Sequence, residues 1–397
     1  MASSAEQIRN WHGPAILGFG FRPFFLSAAI FAGLAMVVWI GALAGAWEVP
    51  SNFAPVEWHM HEFLWGYLSA VVAGFMLTAV PNWTGRLPIV GAPLAVLWST
   101  WMLGRLAVFF SAGAPPVVVM AADLLFPALL IYMLGREIVA GRNWRNLKVL
   151  AVAGVLFLAN ACFHIEAMGQ AGAQQGYGVR LGIAAAILLI AVVGGRIIPS
   201  FTRNWLARRA PGRLPTPFDN VDKIVIVLSG LALLSWVALP EQQVTGALLI
   251  AAGLGNIARL ARWAGWRSLA EPLVSILHVA YLFVPLGFLL VGASVLWPEL
   301  VTRSAAIHSW TVGAILLMTL AVMTRASLGH SGMPLLADRR ITAIYLAALV
   351  AALSRIGAGL WPEFGWLLDL AATGWVLSFL IFTAVYAPLF LKPKTAS

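Results

Sequence analysis

The chain has 397 residues, of which 61% are hydrophobic and only 10% charged. A soluble domain carries about 25% charged residues, so a water-facing globule is excluded and a polytopic membrane protein fits instead. The formal charge of +10 does not indicate nucleic acid, because the basic residues lie in short gaps between apolar blocks and not on one continuous face.

A helix that crosses the hydrocarbon needs about 20 mostly apolar residues. Blocks of that length run over 15–46, 58–80, 91–111, 116–135, 147–168, 178–200, 221–239, 243–258, 270–294, 305–324, 340–360 and 364–390. The expected fold is all-α, a single integral membrane domain (1–397) of twelve transmembrane helices. Its two six-helix halves would be 1–205 and 221–397, joined by a basic loop. The first block is too long for a cleaved signal and has no small-residue cleavage site, so it is expected to remain as a span. If the N-terminus is cytoplasmic, nineteen of the twenty-five Lys and Arg residues fall in inside segments. Only Arg180 and Arg303 fall outside, and Arg22, Arg105, Arg196 and Arg355 fall within spans. The positive-inside rule then places both termini in the cytoplasm. Leu239-Pro240-Glu241, Trp297-Pro298-Glu299 and Trp361-Pro362-Glu363 join consecutive spans on the outside. They read equally as a weak hairpin repeat and as ordinary interfacial turns.

Depth follows from position at about 1.5 Å per residue. His59, His61, His164 and His308 share one outer layer on three helices, His278 lies deeper, and His12 and His330 lie at the cytoplasmic edge. Imidazole is a common ligand for transition metals and for haem iron, so the layer is a candidate metal or haem site. The plain alternative is a set of hydrated interfacial histidines. Clustering, with Glu62 and Glu166 alongside, argues for a site, because ionisable groups in membrane helices are costly. His59, His61, His164 and His308 are the metal candidates. His59, His61, His308 and the deeper His278 are the candidates for cofactor binding.

Within Trp58-His59-Met60-His61-Glu62, residues i and i+2 point about 200° apart on a helix, so the two imidazoles should serve different centres. Only an unwound first turn would let both grip one ion. Glu62 lies one turn beyond His59 and is the catalytic candidate, as a hydrogen-bond acceptor or proton carrier. Gly66, a turn further, would admit a flat ring, and Asn160 is one turn from His164. Arg105, Arg355 and Asp123 each need a partner in the membrane. A planar guanidinium suits a haem propionate, which makes Arg355 a cofactor-binding candidate. For Arg105 a structural pairing with an aspartate is the plainer reading. Gly194-Gly195-Arg196 suggests tight helix packing through small residues. The single cysteine, Cys162, excludes a disulfide, a CxxC pair and a CxxCH site, so any haem would be haem b.

Gly20-Phe21-Arg22-Pro23-Phe24-Phe25, Trp58-His59-Met60-His61-Glu62 and Thr78-Ala79-Val80-Pro81-Asn82-Trp83-Thr84-Gly85 together resemble the NnrS family. So do Gly194-Gly195-Arg196-Ile197-Ile198-Pro199-Ser200-Phe201-Thr202 and Val322-Met323-Thr324-Arg325-Ala326-Ser327-Leu328-Gly329-His330-Ser331-Gly332. The resemblance implies a bacterial inner-membrane protein that contains haem and copper and is linked to the nitric oxide response. The layout is also similar, in outline, to the catalytic subunit of haem–copper oxidases, although a paired His-His on one helix is missing. The resulting expectation is a membrane haem and copper protein that binds or turns over nitric oxide, with lipid around it and a membrane electron donor if there is turnover. A haem-dependent oxidoreductase, a haem-based sensor or scavenger without turnover, and a metal or anion transporter are the competing forms. Against the transporter, the polar cluster is peripheral and not at the midplane.

Reporter fusions test the topology. A fusion after residue 145 should read cytoplasmic and one after residue 240 should read external. The opposite result at either position would overturn the twelve-span orientation.

Overall fold

The structure, a computed structural model, describes residues 11–392 apart from 85–87, 143, 145, 146, 170, 171 and 210. Arg9, Arg86, Arg145 and Lys394, counted for the orientation, and Gly85 of the motif above lie outside the described residues. Among the described residues, twelve helices are long and apolar enough to cross a membrane: α1 Phe21–Leu43, α2 Pro55–Pro81, α3 Ala92–Phe109, α4 Pro116–Ala140, α5 Val149–Ala167, α6 Tyr177–Leu206, α7 Asn220–Ala238, α8 Gln243–Ala261, α9 Pro272–Leu296, α10 Arg303–His330, α11 Arg339–Leu360 and α12 Trp366–Leu391. No strand occurs among the described residues. In hydrocarbon each backbone N–H and C=O must be paired within its own segment, which is why long apolar runs become helices.

Helix ends follow local chemistry more closely than hydropathy. α2 begins at Pro55, ahead of its apolar block, because Pro55 suits a first turn and Glu57 Oε2 accepts the Ala54 N–H at 3.1 Å. α6 and α10 continue past their apolar blocks to Leu206 and His330. Their last turns carry polar residues, which end a hydropathy window but leave the backbone ladder intact. Asp219 caps α7 by accepting the Val221 N–H at 2.9 Å. A hydrogen bond from the Arg262 guanidinium holds the Asp219 carboxyl below the usual aspartate range.

Among the described residues, three helices contain a π-helical stretch: α2 at Glu62–Leu68, α6 at Ile190–Gly194 and α10 at Ser309–Leu316. They recur every fourth span. They are also the most buried spans, at 78%, 61% and 78%, against 33–50% for the other nine. A π turn widens the helix and takes carbonyls out of the regular ladder, and such turns gather at functional sites.

The chain divides into two compact units, one of residues 1–182, 326–333 and 379–397 and the other of 183–325 and 334–378. In the first, Phe21, Phe24 and Phe25 are fully buried, and Phe21 meets Phe390 edge-on at 5.7 Å. Tyr67 meets Phe379 in the same way at 5.2 Å. His330 lies beside the rings of Phe19 and Phe21, at 5.6 and 5.9 Å.

The second unit is built around a buried polar chain on α7, α8 and α9. Arg259, fully buried, donates from Nε to Asp222 Oδ1 at 2.8 Å and from Nη1 to the carbonyl of Ala191 at 2.8 Å. Tyr281 hydroxyl accepts from Arg259 at 2.9 Å and donates to Asn256 Oδ1 at 2.8 Å, and Asn256 Nδ2 donates to Ser229. The Gly194-Gly195 pair serves this chain. A Cβ at Gly195 would stand 1.9 Å from Arg259 Nη2, so the glycine makes room for a guanidinium.

Removing one partner of a buried ion pair strands the other, at a cost of about 3–5 kcal/mol. Asp222→Ala should therefore lower the thermal midpoint strongly. Arg303→Ala, which breaks the exposed 3.1 Å pair with Glu241, should leave it nearly unchanged. Differential scanning fluorimetry of both variants in detergent checks the contrast.

Candidate metal centre

Neighbouring helices run antiparallel here, so α2 and α4 begin at the membrane side where α3 and α5 end. His61 lies in the first turns of α2 and Asp123 in those of α4, while Arg105 lies near the end of α3 and Asn160 and His164 near that of α5. All of them belong to the first unit. The regular helix of α2 runs from Pro55 to His61, and Glu62 opens its π stretch. Within that stretch the carbonyl of Gly66 is available to accept the Trp101 indole N–H at 2.9 Å.

The side chains of His61, Glu62, Arg105, Asp123, Asn160 and His164 are all buried. His61 Nδ1 stands 2.8 Å from Glu62 Oε1, and its Nε2 stands 3.2 Å from Asp123 Oδ2 and 3.0 Å from Asn160 Oδ1. His164 Nε2 reaches the same Asp123 oxygen at 3.1 Å. Asn160 Nδ2 donates to that oxygen at 2.7 Å, which fixes the orientation of the amide. Arg105 donates from Nη1 to Glu62 Oε1 and from Nη2 to Asp123 Oδ1.

Each contact assigns a role. Arg105 occupies one oxygen of Asp123 and leaves Oδ2 turned toward the two imidazoles. A neutral His61 that donates its Nδ1 proton to Glu62 carries its lone pair on Nε2. That lone pair then faces two oxygen acceptors, Asp123 Oδ2 and Asn160 Oδ1. Acceptors converge in this way only around a cation, either a proton on Nε2 or a metal ion. Carboxylate–imidazole–metal chains are built in this order, the outer carboxylate fixing the tautomer and raising ligand basicity. One ligand atom from each of His61, Asp123 and His164 lies within 4.8 Å of the others, a spacing that could hold a metal ion. With neutral imidazoles, two carboxylates face one guanidinium, and a bound cation offsets the remaining negative charge in the low-dielectric interior. Two imidazoles and a carboxylate, without sulfur, suit borderline divalent ions such as copper(II), zinc or iron(II).

Of the residues singled out from sequence, the structure brings together His61, Glu62, Arg105, Asp123, Asn160 and His164, and it pairs Arg105 with an aspartate, Asp123, as its plainer reading expected. His59 is not among them: it stacks flat on Trp39 (4.4 Å, 14°) and lies against Phe63. The first turns of α2 are regular helix, so the unwound arrangement in which both imidazoles grip one ion is not the one seen. Glu62 was expected on the face of His59 but is bonded to His61 instead. Adjacent residues are only about 100° apart, and the charge of Arg105 draws the carboxylate inward. The space at Gly66 was expected to admit a cofactor ring. It is taken by the protein itself, since a Cβ there would meet Phe31 at 2.7 Å and Arg105 Nη1 at 2.9 Å.

His308, His278 and Arg355 belong to the second unit. His308 Nδ1 lies 2.8 Å from the carbonyl oxygen of Ser304, and Arg355 Nη2 donates to the hydroxyl of the same serine at 3.0 Å. His278 Nε2 is 2.8 Å from the Thr202 hydroxyl. His12 is exposed. Sequence reasoning flagged Asp123 only as a charge in need of a partner and missed it as a ligand. The cost of an intramembrane carboxylate was the available signal.

The protein-family model described as NnrS protein matches residues 15–394. No curated protein matches the chain.

Metal content per chain, measured by plasma mass spectrometry, distinguishes the roles. His61→Ala, His164→Ala and Asp123→Ala should each empty the centre, whereas His59→Ala should leave it loaded. Glu62→Gln should retain the ligands but weaken metal affinity by about 10–100-fold, the effect of losing the carboxylate that orients an imidazole.

Proposed function

The chain belongs to the NnrS family, and from that premise we propose that it is a membrane metal and haem protein that binds or turns over nitric oxide and so protects against nitrosative stress. The observation that carries the proposal is the convergence of His61, Asp123 and His164, with Glu62 and Arg105 fixing them from behind. Copper fits this donor set, and it is the metal we assign there. Bound copper would offer nitric oxide an open coordination position, because the protein supplies three principal donors and the amide oxygen of Asn160 at most a fourth.

Haem does not fit this centre. Phe53, Trp65 and Phe163 pack against the ring of His61 at 5.0, 5.4 and 5.6 Å, and Gly66 is covered by Phe31 and Arg105, which leaves room for an ion but not for a macrocycle. For haem b we assign His308 and Arg355. The Nδ1 contact of His308 with the Ser304 carbonyl orients its ring as axial histidines are commonly oriented, and Arg355 at the same serine offers a partner for a propionate.

The chain's own groups do the positioning. Glu62 holds the Nδ1 proton of His61 and is placed to pass it on, which makes it the candidate proton carrier. Arg105 keeps Asp123 single-handed toward the centre. Nitric oxide is small and uncharged, so it reaches a centre inside the bilayer through the lipid. Bacterial inner-membrane placement with both termini cytoplasmic, from the charge pattern, would put the centre on the outer side. Turnover would need a membrane electron donor, while binding alone would make the protein a sensor or scavenger.

The visible spectrum of purified protein tests the reading. A Soret band that shifts with nitric oxide and a pigment released by acidified acetone are expected, together with copper in the same preparation. A preparation with no Soret band and no copper, active instead in metal or anion flux, would replace this reading with the transporter.

A further inference from the structure

The loop between α1 and α2, residues 44–54, is exposed or half-buried except at one residue, Phe53. The loop is pinned from both sides of that residue. Ser51 Oγ donates to the Val108 carbonyl at 2.8 Å, the Asn52 N–H donates to Ser111 Oγ at 2.7 Å, and Asn52 Nδ2 donates to the Ala114 carbonyl at 2.9 Å. The Ala112 N–H returns a bond to the Pro50 carbonyl at 3.1 Å. These bonds fix the loop to the end of α3 and aim the Phe53 ring inward. It lies 5.0 Å from the ring of His61, 5.3 Å from that of His164 and 5.5 Å from Phe163. Phe53 thus covers both imidazoles of the centre from the side of the loop, and it is the loop's only apolar side chain in that position.

We propose that Phe53 is the residue that sets access to the His61/Asp123/His164 centre: it closes the aqueous route to water, hydrated anions and hydrophilic chelators. Small uncharged diatomics are left to enter from the bilayer. The specificity is therefore one of exclusion, with a polar metal centre sealed on its wet side by an aromatic ring. A phenyl ring offers no hydrogen bond to a hydrated ion, so a charged ligand must shed water before it can pass. This inference rests on the metal reading of the centre for its meaning, but its test does not require a metal to be bound.

The test measures deuterium exchange at the imidazole C2 position in full-length protein treated with chelator, read by peptide mass spectrometry. The exchange needs hydroxide to reach a protonated ring, so it is followed across pH and the comparison is made between full rate–pH profiles, which separates access from a change in titration. Phe53→Ala should speed exchange at His61 and His164 by about tenfold or more. Phe53→Leu, which keeps an apolar plug, should stay near the wild-type rate, and His278 in the second unit should not change. Equal rates at His61 and His164 in wild type and Phe53→Ala would overturn the proposal. If His278 also accelerates in Phe53→Ala, the fold has opened, and Phe53→Val decides by the same criterion. Metal content of the untreated wild type, measured alongside, separates the two readings. A wild type that holds no metal rejects the metal assignment, while the exchange rates still accept or reject Phe53 as the barrier.

Discussion

A guanidinium buried between two carboxylates is the constraint on which the centre depends. Arg105 touches both Glu62 and Asp123, and without it two buried carboxylates would face each other inside the hydrocarbon layer. Its position decides which oxygen of Asp123 is left for the imidazoles and which way Glu62 turns. It also explains the glycine at 66, where any side chain would collide with the arginine. The centre is therefore read outward from the cation: Arg105 fixes the carboxylates, Glu62 fixes the tautomer of His61, and Asn160 locks the remaining oxygen of Asp123.

The second unit solves a related problem with different residues. Arg259 is buried against Asp222, and Gly195 clears the space beside it as Gly66 does beside Arg105. In both units the arginine also meets a helix that carries a π stretch. Gly66 lies within Glu62–Leu68, and the Ala191 carbonyl that accepts from Arg259 lies within Ile190–Gly194. A widened turn supplies carbonyls outside the regular ladder, and a glycine supplies room, so together they let a helix accommodate a long charged side chain in an apolar medium. The network of Arg259 pairs its charge with Asp222, and among the described residues it holds no cluster of metal-ligating groups. It serves cohesion, whereas the group around Arg105 leaves imidazole and carboxylate donors pointed at one another.

Membrane burial and aromatic packing then shape what the centre can do. Phe53, Trp65 and Phe163 surround His61, so the polar atoms face inward toward each other and the rings face outward. In such a setting, electrostatic interactions are stronger than in water and the geometry is held before any ligand arrives. Such a setting suits the His61, Asp123 and His164 group to hold a metal ion.

The sequence alone was enough for the fold class and the number of spans, because the hydrophobic period and the length needed to cross a bilayer are local properties. Family membership was also legible from its motifs. Local spacing likewise identified His61 and Glu62 as residues of interest, and separated His59 from His61 by their angle on the helix. Beyond the pairing of Arg105 with an aspartate, it could not assign partners. His61, Asp123 and His164 lie on three different helices, and Phe53 lies on a loop, so their meeting depends on how α2, α4 and α5 pack. Hydropathy carries no record of which helix faces which. For the same reason Glu62 was matched to the wrong histidine, and the glycine at 66 was read as space for a cofactor. Only the tertiary structure shows the arginine that fills that space, since a guanidinium supplied by another span is invisible to any local rule.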